Sequence, residues 1–245
     1  MFKKIAIALL MGASCLTWNM NPISAAPATG LDDLKNPHSG FFYIITKPVD
    51  VNIQQQMERA YNLIIEGKDY DMAIAVLDEV IKLDSENSEA YILRGMARTE
   101  LKEYVKADND YASALKIEPK NPTFYYYRAM NQLYKGYNRK TYGQYFRIGA
   151  DNKSVLTYES DRLAVQYFKK AIEIEPYYID AIVGLGDCYC SIAENSGQND
   201  NDRIYTYRTA IGEYNKVLVL FPNHNVVLTK KADAQEAMEK VSNKK

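Results

Sequence analysis

Residues 88–121 read SEAYILRGMARTELKEYVKADNDYASALKIEPKN. Apolar and small residues recur there at helical spacing, and Ala107, Tyr111, Ala114 and Leu115 make one face. Gly95, Ala107 and Ala114 are small, as is required where two helix backbones approach closely. Tyr91, Tyr104 and Tyr111 are large, as is required where the space between helices must be filled. Pro119 stops the second helix, because it brings no N–H and its ring collides with the preceding turn. The stretch therefore predicts two antiparallel helices. A pair of this size cannot bury its apolar face alone, so its neighbours have to supply the rest of a core.

The neighbours repeat it. Thirty-four residues back stand Tyr70, Ala73 and Val80, with Tyr61 in the place of Gly95 and Ser85 in the place of Pro119. Thirty-four residues forward stand Tyr125 and Ala129. Ala164, Phe168, Ala171 and Pro176 then return with the spacing of Ala107, Tyr111, Ala114 and Pro119, but 57 residues on, so this copy carries 23 extra residues. Gly186, Ala210, Tyr214, Val217 and Pro222 make a further copy with 12 extra. The units run 54–87, 88–121, 122–178 and 179–224. Beyond them, Asn225 to Val241 reads as one more amphipathic helix, with Val227, Ala234, Met238 and Val241 inward and lysines and glutamates outward, a solvating cap completed by a short tail to residue 245. Both insertions fall between the two helices of a unit. The fourth unit's, Asn195 to Asn201, reads as a polar turn-rich loop.

Over residues 54–224 the chain resembles the tetratricopeptide repeat (TPR) family. That resemblance implies an all-α fold, a right-handed superhelical α-solenoid of about four TPR helix pairs plus a C-terminal capping helix. It also implies a non-enzymatic protein–protein interaction scaffold, in which the first helix of each unit lines a concave groove. Aligned by repeat phase, the groove residues are Glu58, Asn62 and Glu66; Glu89, Ile92, Met96 and Thr99; Tyr126, Met130 and Tyr134; and Asp180, Val183, Asp187 and Cys190. The family's best-known groove grips a peptide's terminal carboxylate with lysines and asparagines. Here Glu58 stands at the first lysine and only Asn62 matches. An apolar floor of Ile92, Met96, Tyr126 and Met130 with acidic edges instead suits a peptide bearing apolar and basic residues, methionine giving the floor adaptability.

The first 28 residues read as an address. Met1-Phe2-Lys3-Lys4 is a basic start, Ile5 to Trp18 is apolar and uncharged, and Ser24, Ala25, Ala26 and Ala28 supply small residues for cleavage. The apolar run is shorter than the ~20 residues of a membrane-spanning helix. Gly12 stands where a lipoprotein would carry a leucine-like residue three before its cysteine, which argues against lipidation at Cys15. The expected location is extracytoplasmic, periplasmic or secreted. Residues 29–53 form a lead-in containing Phe41-Phe42-Tyr43-Ile44-Ile45, an apolar β-prone run.

Little here can carry chemistry. A net charge of −1 gives no basic excess to neutralise phosphates, so nucleic acid is not the expected partner. No GxSxG elbow, P-loop, dinucleotide fingerprint or HExxH motif occurs. Neither His38 nor His224 has a nucleophile near it in sequence. No catalytic residue, metal site or cofactor is assigned. The acid and amide run at 195–201 lacks the closing glutamate of a calcium loop. Cys188 and Cys190 point in different directions on a helix, which disfavours a bridge; Cys188 takes a small buried slot and Cys190 should face the groove. Arg94 and Arg128, 34 apart, read as structural ion-pair partners, with Asp110 the expected acid for Arg94.

Tyrosine supplies 21 of the 245 residues. Seven occupy regular aromatic slots, and of the other 14, ten lie between Tyr126 and Tyr178. The third unit's insertion, near 137–159, is basic and aromatic, and Tyr137, Tyr142, Tyr145 and Phe146 make it a second candidate surface. Besides a protein or peptide partner, two readings therefore stay open. One is a carbohydrate- or cell-wall-binding protein using clustered tyrosines, the other a self-assembling structural subunit. A cell-wall or membrane-associated complex fits the expected location.

Overall fold

The computed structural model describes residues 51–141, 155–195 and 198–243. The expected signal peptide and nearly all of the lead-in lie outside these residues. Among them the elements are α1 (Val51–Asn62), α2 (Tyr70–Leu83), α3 (Ser88–Glu100), α4 (Tyr104–Ile117), α5 (Pro122–Thr141), α6 (Val155–Ile174), α7 (Ile179–Asn195), α8 (Asp200–Leu220) and α9 (Asn225–Ser242). A single wide turn, Leu63–Gly67, continues α1. Each helix packs on the next in chain order, so the pairs α1/α2, α3/α4, α5/α6 and α7/α8 stack into an all-α superhelical solenoid closed by α9.

Every second helix ends in the same way. The N–H groups of Asp84, Glu118, Glu175 and Phe221 donate to the carbonyls four residues back. The residue three further on (Asn87, Asn121, Tyr178 or His224) then closes a tight turn at 3.1–3.3 Å. Ser85 makes this turn as well as Pro119, Pro176 and Pro222 do; proline presets the turn geometry but is not required for it. Side-chain caps start α2, α3 and α8: Asp69 accepts from the Met72 N–H at 3.1 Å, Asn87 from Ala90 at 3.0 Å and Asn199 from Asp202 at 2.9 Å. In the first two units the connection between the paired helices contains a lysine at positive φ, Lys68 (49°) and Lys102 (63°), again 34 residues apart.

The small and large slots fit into one another. A Cβ at Gly95 would lie 2.7 Å from the Tyr111 ring, and one at Gly186 2.5 Å from the Tyr214 ring. Gly184 gives the same room to Phe168, at 2.5 Å. These rings are buried, along with Ala107, Ala114, Ala164, Ala171 and Ala210.

The insertions are mostly helix. Measured from the shared repeat positions, seven of the 23 extra residues of the third unit lengthen α5 and six lengthen α6, leaving ten for the connection. In the fourth unit four lengthen α7, seven lengthen α8 and only one falls in the connection. This corrects the expected polar loop at 195–201. Asn195 still belongs to α7, Asn199 caps α8, and Asp200 and Asp202 lie in the first turn of α8, where the N-terminal end of the helix dipole favours negative charge.

Candidate functional site

The first-helix residues divide into an open edge and a closed interior. Glu58 and Asn62 are exposed on α1 and line one shallow cleft with Gln55, Arg59 and Leu63. The expected floor is not open. Ile92 is 0% exposed, Met96 3%, Tyr126 2%, Met130 7% and Tyr134 9%. They belong to one continuous core with Leu93, Ala97, Tyr111 and Phe168. The reason is that successive first helices touch: α1 meets α3, α3 meets α5 and α5 meets α7. Large side chains at these contacts, above all the Tyr126 ring, close the space that smaller ones would leave.

Tyr126 is the centre of an aromatic cluster. Its ring centroid lies 5.4 Å from Tyr127, 5.9 Å from Phe168 and 5.3 Å from Tyr178, in tilted and edge-on arrangements that aromatic quadrupoles favour. Thus much of the tyrosine excess of the third unit is core. Tyr127 and Tyr178 are buried, Tyr167 is half-buried under the Arg128 guanidinium at 4.5 Å, and Tyr177 is exposed. Of the insertion surface, Tyr137 lies on α5 with its side chain outside the described residues, as Tyr142, Tyr145 and Phe146 are altogether.

Glu89 differs from the floor beside it. It lies in the first turn of α3, and its Oε1 is buried with no hydrogen-bond partner. Burial, and secondarily the Glu118 carboxylate, push its carboxyl up to about 8. The neighbouring Ser88 hydroxyl cannot relieve it, because it donates to Glu118 instead. Position 89 is therefore an acid seated where water is scarce and where a cation would be stabilising.

The other charged candidates are committed within the fold. Arg94 grips Asp110 through Nε at 3.2 Å and Nη2 at 2.6 Å, and reaches Asp78 of the preceding unit at 2.6 Å. Arg98 holds the second Asp110 oxygen at 2.7 Å. Arg128 forms a two-pronged pair with Asp108, 3.0 Å on each side, and Gln132 donates to the same carboxylate at 3.0 Å. Both arginines are thus structural ties between units.

Asp187, expected in the groove, accepts from the Tyr214 hydroxyl at 2.7 Å and pairs with Lys230 of α9 at 2.8 Å. It fastens the cap. Its place beside Tyr214 follows from Gly186, which seats that ring. Sequence phase alone gave no sign of the Lys230 contact, which spans 43 residues.

Cys188 and Cys190 are both free thiols. Cys188 is fully buried, as expected. The Cys190 Sγ lies 3.7 Å from the Tyr214 hydroxyl rather than facing open groove, and burial pushes its thiol up to about 12. Burial likewise raises the Cys188 thiol, so neither is activated as a thiolate at neutral pH.

A tetratricopeptide-repeat sequence model matches residues 88–121. Among solved structures, a MamA protein has the same fold at a TM-score of 0.53 and 15% identity, over 78% of this chain and 86% of that one. A thermophilic TPR protein of Thermus thermophilus, TTC0263, aligns at a TM-score of 0.48 and 13% identity over 75% of this chain and 98% of that one. YrrB, described as a TPR protein with an unusual peptide-binding site, aligns at 0.44 and 16% identity over 77% and 89%. The likeness to the MamA protein speaks for fold alone. No curated protein matches the chain in sequence.

Proposed function

We propose that this chain, a tetratricopeptide-repeat protein, is a non-enzymatic scaffold that holds a peptide or protein segment carrying a basic residue against the acidic edge of its first two units, and that it works in the cell envelope after export. The observation that supports the site most is Glu89. Its Oε1 is buried without a partner and its carboxyl is pushed up to about 8. A lysine or arginine delivered there would supply the missing hydrogen bond and a countercharge, and charge-assisted bonds of this kind are about twice as strong as neutral ones. Glu58 and Glu66, both exposed, extend the acidic edge along α1 and its continuation.

The ties between units support the same reading. Arg94 joins α2, α3 and α4 through Asp78 and Asp110, and Arg128 joins α4 to α5. A stack held this way presents its edge in one arrangement, which lowers the ordering cost of binding. Because the floor residues are buried, the apolar part of recognition is assigned to the rim and not to Ile92 or Met96. Export rests on the basic start, apolar run and small residues of Met1 to Ala28.

Site-directed photo-crosslinking in the envelope of the native host tests this. A photo-reactive residue at position 58 should capture a discrete protein partner, and Glu89→Lys should reduce that yield at least about tenfold by placing like charges together. Undiminished capture in Glu89→Lys would reject the site. Recovery of the chain from the cytoplasmic fraction alone would reject the location.

A further inference from the structure

The four turns that end the second helices are alike in backbone but not in chemistry. The three residues entering them are Lys82-Leu83-Asp84, Lys116-Ile117-Glu118, Glu173-Ile174-Glu175 and Val219-Leu220-Phe221. In three corners a central apolar residue is flanked by charges. In the fourth all charge is gone. The side chains are not turned inward in exchange: Val219 is 80% exposed, Leu220 45% and Phe221 47%. Leu228, one turn into α9, adds another exposed apolar side chain at 41%. Packing is already supplied by Val217 and Val227, both fully buried, so the corner is apolar for some purpose other than the core.

The shape is a tip, not a groove. α8 and α9 meet there through the short turn Phe221-Pro222-Asn223-His224. Behind the tip stand three lysines. Lys216 lies one turn back from Leu220 on α8, with its side chain 62% exposed while its partner Glu213 is 13% exposed. Lys230 and Lys231 lie within one turn of Leu228 on α9, and Lys230 covers Asp187. The acid that closes the other corners, Asp84, Glu118 or Glu175, is Phe221 here. On the preceding corner the exposed Tyr177 follows two charged residues in sequence, Glu173 and Glu175.

We infer that the corner Val219–Phe221 with Leu228 inserts into the interface of an anionic lipid bilayer, and that Lys216 and Lys231 stand at the level of its headgroups. A convex apolar tip can enter the acyl boundary, where burial of each apolar side chain favours attachment. Lysines one turn behind extend to the negative surface, each strengthening partition about fivefold. The attachment proposed for this corner is peripheral; no described helix is long and apolar enough to cross a membrane. It leaves the α1–α3 edge, at the other end of the stack, turned to solution.

A chain carrying Trp18→Phe and Phe221→Trp makes the corner the sole source of tryptophan fluorescence. Vesicles of phosphatidylglycerol with brominated acyl chains should shift its emission to the blue and quench it, and neutral phosphatidylcholine vesicles should do so much less. Because the signal comes from position 221, insertion of the apolar stretch at residues 5–18 does not mimic it. Lys231→Gln should weaken partition about fivefold. In a separate sedimentation measurement on the chain without the expected signal segment (residues 1–28), Val219→Lys/Phe221→Glu, which restores the Lys-x-Glu pattern of the second corner and so should fold, should reduce binding to anionic vesicles at least about tenfold. No blue shift or quenching at position 221 overturns the inference. So does vesicle binding that survives the double substitution. A double substitution that leaves vesicle binding unchanged but abolishes capture of an envelope protein assigns the corner to a protein partner and also overturns it.

Discussion

The second and fourth units share a frame and differ in what they place around it. In both, a glycine on the first helix seats the ring of a tyrosine from the second, Gly95 with Tyr111 and Gly186 with Tyr214. In the second unit the Tyr111 hydroxyl lies 3.0 Å from Thr99, which meets Asn131 of α5 at 3.1 Å. In the fourth the Tyr214 hydroxyl donates to Asp187, which holds Lys230 of α9. Each ring thus ends in a polar link to the next helix, built from different residues. The ion pair differs too: where the second unit has Arg94 the fourth has Leu185, buried at 3%. The lesson is that the repeat conserves a space and a direction of attachment, while the chemistry of attachment is chosen unit by unit.

The largest expected effect tests the shared part. Gly95→Val and Gly186→Val should each cost about 3 kcal/mol or more, because the ring that would have to yield is buried and tethered at its hydroxyl. Urea unfolding measures it. A cost above about 3 kcal/mol in one unit and near zero in the other would break the equivalence.

The next effect belongs to the second unit alone. Arg94→Met should cost about 2–4 kcal/mol, since Asp110 stays buried with only Arg98 to hold it. The fourth unit manages with Leu185 at this position, so a loss below about 0.5 kcal/mol would mean that the ion pair contributes only orientation.

Glu89 gives a smaller, pH-dependent effect. The folded carboxyl holds its proton up to about pH 8, against 4.5 for the unperturbed group. The folded state therefore binds the extra proton between those values, and stability falls as pH rises from 5 to 8. Glu89→Gln should raise stability at pH 8.5 by about 1–3 kcal/mol and change it little near pH 4. An equal effect at both pH values would contradict the burial argument. The smallest effect is a control on glycine itself. Gly212 lies within α8 with nothing within 4 Å of a new Cβ, so Gly212→Ala should gain about 0.5–1 kcal/mol, opposite in sign to the effect at Gly95.

The fold was legible because close packing leaves its mark at fixed intervals. Gly95, Ala107, Tyr111 and Pro119 each report a distance between backbones, and the copies of them phase the helices. Helix lengths were not legible. The 12 extra residues of the fourth unit contain Asn-Ser-Gly-Gln-Asn, which looks like loop, yet most of them extend α7 and α8, because Asn199 caps a new first turn rich in acid. The groove was half legible. Repeat phase selects the residues that face successive first helices, and it did so for Ile92, Met96, Tyr126 and Met130. It does not tell how near those helices come, and that distance decides whether the residues are floor or core. The role of Asp187 was hidden for a simpler reason, since its partner Lys230 lies in α9, outside the repeat.

The division between a closed interior and an acidic open edge is the centre of this account, and methionine oxidation tests it directly. Met96 and Met130 are 3% and 7% exposed, while Met72, on the outer helix α2, is 45% exposed. Under dilute peroxide at native conditions, peptide mass spectrometry should find Met72 oxidised at least about tenfold faster than Met96 and Met130, whose protection should end only on unfolding. Met96 and Met130 oxidising as fast as Met72 in the folded protein would show an open apolar floor and contradict the account.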